Sequence, residues 1–121
     1  MLIRYKKSFE KIAMGLLSFM PEVSDVRNLQ EIIKEYEGNP DWQLFLWKEE
    51  DILGAVGVRV ESDRAVIQHV SVNPSHRNLG IGRKMIQSTR NFYKNQYNVC
   101  ADVATESFIE KCDEESASSQ L

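Results

Sequence analysis

Ile67-Gln68-His69-Val70-Ser71-Val72-Asn73-Pro74-Ser75-His76-Arg77-Asn78-Leu79-Gly80-Ile81-Gly82-Arg83-Lys84-Met85-Ile86 is the stretch on which the fold turns. Its first part, rich in β-branched residues, reads as a strand that stops at Asn73-Pro74, because proline lacks an amide donor and restricts its predecessor. Gly80 and Gly82 then open a segment in which Ile81, Met85, Ile86, Thr89 and Tyr93 recur at helical spacing, giving a helix from Gly80 to Lys94. The first amides of a helix have no internal partners and stand at the positive end of its dipole. Glycine brings a phosphate close to them, since no Cβ intervenes. Arg77 and Arg83 flank the turn and add charge-assisted donors. A pyrophosphate is the natural guest. Two better-known phosphate loops do not match: no GxxxxGK[ST] run is present, and Met85 stands where GxGxxG needs its third glycine.

Charge supports an anionic ligand at this place. The chain has 121 residues and a net charge of −3. From Arg64 to Ala101 it has no Asp or Glu but six basic residues, Arg64, Arg77, Arg83, Lys84, Arg90 and Lys94. The remainder holds nine basic and eighteen acidic residues, so +6 faces −9. A positive segment inside an acidic chain suits a local anion site better than a general nucleic-acid surface. No partner nucleic acid is expected, and no apolar run is long enough for a membrane span. The opening residues do not read as a signal peptide, and a cytoplasmic location follows as the expectation. Cys100 and Cys112 form no CxxC and have no paired histidines, so neither a metal nor a disulfide is expected.

Working outward, Leu2 to Lys6 alternates as an edge strand. Ser8 is placed to cap a helix reaching Phe19, and Pro21 stops it. Ser24 or Asp25 opens a second helix with Val26, Leu29, Ile32, Ile33 and Tyr36 on one face, closed by Gly38. Trp42 to Lys48 and Ile52 to Val60 read as a hairpin, with Gly54 and Gly57 as points of close approach or bulging. Arg64 to Val72 is a third strand. Tyr97 to Val103 is another strand, Glu106 to Cys112 a short helix, and residues 113 to 121 a flexible tail after a domain of residues 1 to 112. The order implies an α/β (α+β) domain whose mixed, mostly antiparallel sheet is flanked by helices.

Arg77-x-x-Gly80-x-Gly82, preceded by His69-Val-Ser-Val72-Asn-Pro-x-x-Arg77, resembles the pyrophosphate loop and fourth strand of the GNAT acetyltransferase superfamily. The element order agrees over nearly the whole chain. The resemblance implies acetyl-CoA or CoA as cosubstrate, with no metal, and transfer of an acetyl group to a small-molecule or peptide amine. It implies contacts to the cosubstrate from Val70, Ser71, Val72, Arg77, Asn78, Leu79, Gly80, Ile81, Gly82 and Arg83. Pantetheine would lie in a splay beside Val72's strand, and an amide at or next to Val70 would polarise the thioester. Within the family, Met1 to Pro21 and the small size are similar to the member encoded in bacterial riboflavin operons, which implies a link to riboflavin metabolism.

His69, at the heart of that strand, is the candidate catalytic base, and Gln68 is expected on the opposite face. The family's acid is a tyrosine on the helix after the fifth strand. Phe108, Glu110 and Lys111 match that helix, but Ile109 occupies the tyrosine position. The sequence also stops where the family's last two strands are expected, which makes it resemble a C-terminally truncated member. An open edge at Tyr97–Val103 favours a homodimer. The alternative to an enzyme is a CoA-binding regulatory module without catalysis.

Overall fold

The alternation in residues 42 to 72 folds into three antiparallel strands, β2 (Trp42–Lys48), β3 (Ile52–Glu61) and β4 (Arg64–Val72). The computed structural model describes residues 1–23 and 25–119. β1 (Leu2–Arg4) pairs antiparallel with β2, and β5 (Asn98–Ala101) pairs parallel with β4. The sheet therefore runs β1-β2-β3-β4-β5. The parallel pair needs a crossover, and α3 (Ile81–Tyr93) provides it. Two more helices, α1 (Glu10–Leu17) and α2 (Val26–Gly38), precede the meander, and α4 (Glu106–Ser119) follows β5.

Each face of the sheet buries its own apolar layer. Phe45, Val56, Val58, Ile67 and Val70 pack with Met85, Ile86 and Tyr93 of α3 and Ile109 of α4. Leu44, Leu46 and Ala55 face Ala13, Leu16 and Leu17 of α1 and Leu29, Ile33 and Tyr36 of α2. Burying each large aliphatic side chain contributes about 1.5–3 kcal/mol, so both layers are needed to hold a sheet this small. Trp47 lies in the first layer and Trp42 against the second, as their opposite parity along β2 requires.

Two register shifts break the alternation, one at Trp47/Lys48 and one at Gly57/Val58. At the second, Gly57 opposes His69 and Val58 opposes Ile67, leaving Gln68 unpaired. An extra residue in one strand brings neighbours that should alternate toward the same side. Gln68 and His69 do not point to opposite faces as expected: both reach the hydroxyl of Tyr36 on α2.

Several boundaries differ from the sequence expectation, each for a local reason. Ser8 caps nothing; it lies in a 3-10 turn, Lys7–Phe9, that leads into α1. Asp25 caps α2 by accepting from the amides of Arg27 and Asn28, at 2.8 and 3.2 Å, while Ser24 lies outside the described residues. β5 is shorter than Tyr97–Val103, because its ladder is closed off at Ile67. The Ile67 carbonyl accepts both the Asp102 amide, at 3.0 Å, and the Thr105 hydroxyl, at 2.6 Å. α4 passes Cys112 and continues through Ser119, into the stretch read as a tail. Asp113 within it meets Arg90 of α3 with two bonds, 2.7 and 3.1 Å. Residues 120 and 121 of the expected tail lie outside the described residues.

Candidate active site

Beyond Ile67 the pairing of β4 with β5 ends, and the two diverge. The space between is a cleft of about 490 Å³. Its walls are Val70, Ser71 and Val72 of β4, the turn and first residues of α3, Ala104, Phe108, Lys111 and Cys112 at α4, and the segment Phe19–Glu22. Proline at 74 and the Asn73 side chain, which accepts from the Ser75 amide at 3.1 Å, turn the chain sharply out of β4. Asn78 and Gly80 then take left-handed backbone angles, φ +67° and +78°. Asparagine tolerates that region and glycine favours it. The chain thereby curls so that α3 starts at Ile81, with Gly80 as its N-cap. The Lys84 amide bonds the Gly80 carbonyl at 3.1 Å, closing the first turn of α3, whose N-terminus is the positive end of its dipole.

The cleft's residues fit a thioester with a pyrophosphate tail. Among the described residues, Ser71 Oγ is the buried side-chain oxygen without a partner, and Ser71 is one of the residues that line the cleft. A buried hydroxyl with no partner costs about 1–3 kcal/mol, which a ligand's polar group would offset. The Val70 amide, the donor expected to polarise a thioester, is taken by Met20 Sδ at 3.3 Å. Sulfur is a weak acceptor, so a carbonyl oxygen would displace it readily. At Gly80 a Cβ would find open space, with only the Arg83 guanidinium 3.7 Å away. Gly82 differs: a Cβ there would come within 2.7 Å of the Phe108 ring. Glycine at 82 lets α4 close on α3, because a side chain there would meet Phe108.

Of the expected contact residues, Val70, Ser71, Val72, Arg77, Asn78, Gly80, Ile81, Gly82 and Arg83 all line the cleft. Leu79 does not; its side chain is exposed. His69 turns to the other face of the sheet. Its Nδ1 lies 2.6 Å from the Tyr36 hydroxyl, and the Trp42 ring stands 6.4 Å away. Tyr36 Oη also receives the Gln68 amide at 3.0 Å, and Gln68 Oε1 accepts from Arg59 at 2.7 Å. Arg59 in turn meets Glu61 at 2.6 Å and Asp102 at 3.4 Å. Burial pulls the His69 imidazole down to about 4, against a smaller upward pull from Asp102 and a downward push from Arg59. Burial raises the Tyr36 phenol far above its ordinary range. Ile109, at the family's tyrosine position, is buried against the sheet and does not line the cleft.

The comparison with protein families matches the model of the acetyltransferase (GNAT) family over residues 10–112. The chain belongs to the GNAT acetyltransferase family. It is 55% identical over 115 residues to a Bacillus methanolicus protein described as an uncharacterised N-acetyltransferase in the lysA 3′ region, covering 93% of this chain and 95% of that one. Among solved structures it resembles the aminoglycoside 6′-N-acetyltransferase AAC(6′)-Ig of Acinetobacter haemolyticus, with TM-score 0.72, 15% identity, and 96% and 88% of the two chains covered. It resembles equally AAC(6′)-Iy in complex with a bisubstrate analogue, CoA-S-monomethyl-acetylneamine, with TM-score 0.71, 14% identity, and 96% and 87% covered. These likenesses show the GNAT fold, which the five-stranded sheet and its helices reproduce.

Sequence reasoning missed the segment Phe19–Glu22, which it saw only as a helix end. It also read Tyr36 as plain core. Helical spacing does place Tyr36 on the apolar stripe, and nothing in the pattern shows that its hydroxyl reaches β4. The one usable signal was Gly57, flagged as a bulge or close approach, which the Tyr36 hydroxyl requires: a Cβ at 57 would overlap it.

Proposed function

We propose that this GNAT acetyltransferase transfers an acetyl group from acetyl-CoA to the amine of a small molecule. The observation that carries the reading is the β4–β5 splay, which joins an unpartnered Ser71 hydroxyl to the left-handed turn at α3. In this reading Val70, Ser71 and Val72 hold the pantetheine arm as an added strand edge. The turn from Arg77 to Gly82 and the Arg83 side chain hold the pyrophosphate. The acceptor nitrogen attacks the thioester carbon, the C–S bond breaks, and the CoA thiolate leaves and takes a proton. The Val70 amide, freed from Met20, donates to the carbonyl oxygen as charge develops there. The proton for the thiolate does not come from position 109, because isoleucine cannot donate one.

That last point favours a second reading, a module that binds CoA without turning it over. The experiment separates the two. Calorimetric titration with acetyl-CoA is followed by thiol release across an amine panel that includes aminoglycosides, polyamines and riboflavin-pathway amines. Binding with release supports the enzyme and names its acceptor. Binding with no release for any amine supports the module, and no binding removes both. The riboflavin-pathway amines belong in the panel because the opening Met1 to Pro21 resembles the family member encoded in riboflavin operons. The outer edge of the short β5 is where a homodimer would pair, and light scattering across concentrations tests that.

A further inference from the structure

The buried polar chain under β4 dictates which nitrogen of His69 carries a proton. It starts at a group with no freedom. Arg59 is a donor only, so the Gln68 atom that it meets at 2.7 Å is the amide oxygen. The Gln68 nitrogen therefore faces Tyr36 and donates to its hydroxyl oxygen, at 3.0 Å. With that lone pair used, the Tyr36 O–H has one group left to donate to, His69 Nδ1 at 2.6 Å. Were Nδ1 protonated instead, the phenol proton would have no acceptor in a buried place, at a cost of about 1–3 kcal/mol. Nδ1 is thus an acceptor, and the neutral ring has its proton on Nε2.

His69 is 8% exposed, and among the described residues Nε2 has no hydrogen-bond partner. We propose that Arg59, Gln68 and Tyr36 are positioning residues that lock His69 as an Nε2–H donor, so that it offers a hydrogen bond to an oxygen of the bound acceptor and does not serve as the base. The inference rests on the acyl-transfer reading for its purpose but not for its geometry. The ring's lone pair is occupied by Tyr36 and the other nitrogen already has its proton, so the ring presents an ammonium with no free lone pair. The amine must arrive neutral or lose its proton to water. The acceptor class follows: an amine with a hydroxyl, carbonyl or phosphate oxygen nearby.

Four charged or titratable groups surround the ring. They are Tyr36 from α2, Arg59 from β3, Asp102 after β5 and Glu22 from the segment before α2. Burial outweighs the two carboxylates and leaves the ring neutral above about pH 4. Trp42 and Tyr36 rings border it, with centroids 6.4 and 5.7 Å away, and limit its rotation.

The test is ¹⁵N-resolved NMR of the imidazole in the ligand-free full chain, on wild type, Tyr36→Phe and Gln68→Glu. Wild type is expected to show one tautomer, protonated at Nε2 and bare at Nδ1, unchanged from pH 8 down to about 5. Tyr36→Phe removes the donor to Nδ1, and the pattern should move toward a mixture of tautomers. Gln68→Glu replaces the donor to Tyr36 with an acceptor for its phenol proton, which should turn the O–H away from His69 and shift the ring proton toward Nδ1. A proton on Nδ1 in wild type overturns the proposal, as does a pattern indifferent to both substitutions. Titrating the same samples with CoA reports separately on the cleft, so loss of CoA binding would remove the acyl-transfer reading while leaving the tautomer result standing.

Discussion

At the scale of single residues, His69 couples the site to stability. Its ordinary value in an unfolded chain is about 6.5, and in the fold it falls to about 4. The fold therefore favours the neutral ring. That contribution is complete above about pH 6.5 and disappears as the pH falls through about 4, because the unfolded chain binds the proton first. The gap corresponds to about 3 kcal/mol at most. Urea unfolding between pH 7 and 4.5 should show a steep loss of stability in wild type. His69→Gln keeps a donor of similar reach without a titration, so its profile should be flatter over that window. Parallel profiles would mean that other groups cause the acid loss. Gly57 bears on the same cluster: alanine there would press its Cβ into the Tyr36 hydroxyl. Overpacking of this kind costs about 1–3 kcal/mol, and denaturant titration of Gly57→Ala should find a loss in that range.

At the scale of elements, α4 decides whether the missing tyrosine matters. Ile109 is 7% exposed and packs in the layer with Ile67, Met85 and Ile86. Ile109→Tyr would have to bury a phenol in an apolar layer with no partner on hand. It should destabilise the fold by about 1–3 kcal/mol and leave thiol release unchanged, as thermal unfolding and the acetyl-CoA assay would show. A rise in turnover would instead mean that this position reaches the leaving sulfur. The same helix marks what the sequence could and could not disclose. Glu106 as a start was legible from the motif and the apolar spacing. Its end was not, because the Asp113–Arg90 pair that extends it joins residues far apart in the chain. Strands β2 to β4 were legible almost to the residue, since alternation and turn residues are local signals. The bulge was legible only in part: Gly57 marked its place, but that the extra residue is Gln68 of the facing strand leaves no trace in composition. That shift is what brought Gln68 beside His69 and changed the reading of the site. The phosphate turn, by contrast, rests on glycine, asparagine and arginine placed within six positions, so most of the cleft was visible before the fold.

At the scale of the whole molecule, charge and topology meet at one place. The acid-free segment Arg64 to Ala101 supplies β4, the turn, α3 and β5. The cleft is therefore bordered by the positive part of an otherwise acidic chain, and the acidic surplus is spread over the remaining elements. Such a field raises the local concentration of an anionic ligand and is screened by salt over about 10 Å at 0.1 M. Coenzyme A has a pyrophosphate and a further phosphate, whereas pantetheine has none. Calorimetric affinity for CoA should fall by about tenfold between low salt and 0.5 M NaCl, while that for pantetheine stays nearly constant. Arg83→Glu should weaken CoA and reduce its salt slope, with little effect on pantetheine. An equal salt dependence for both ligands would place the phosphates away from the turn, and the +6 segment would then be a solvated surface unrelated to binding.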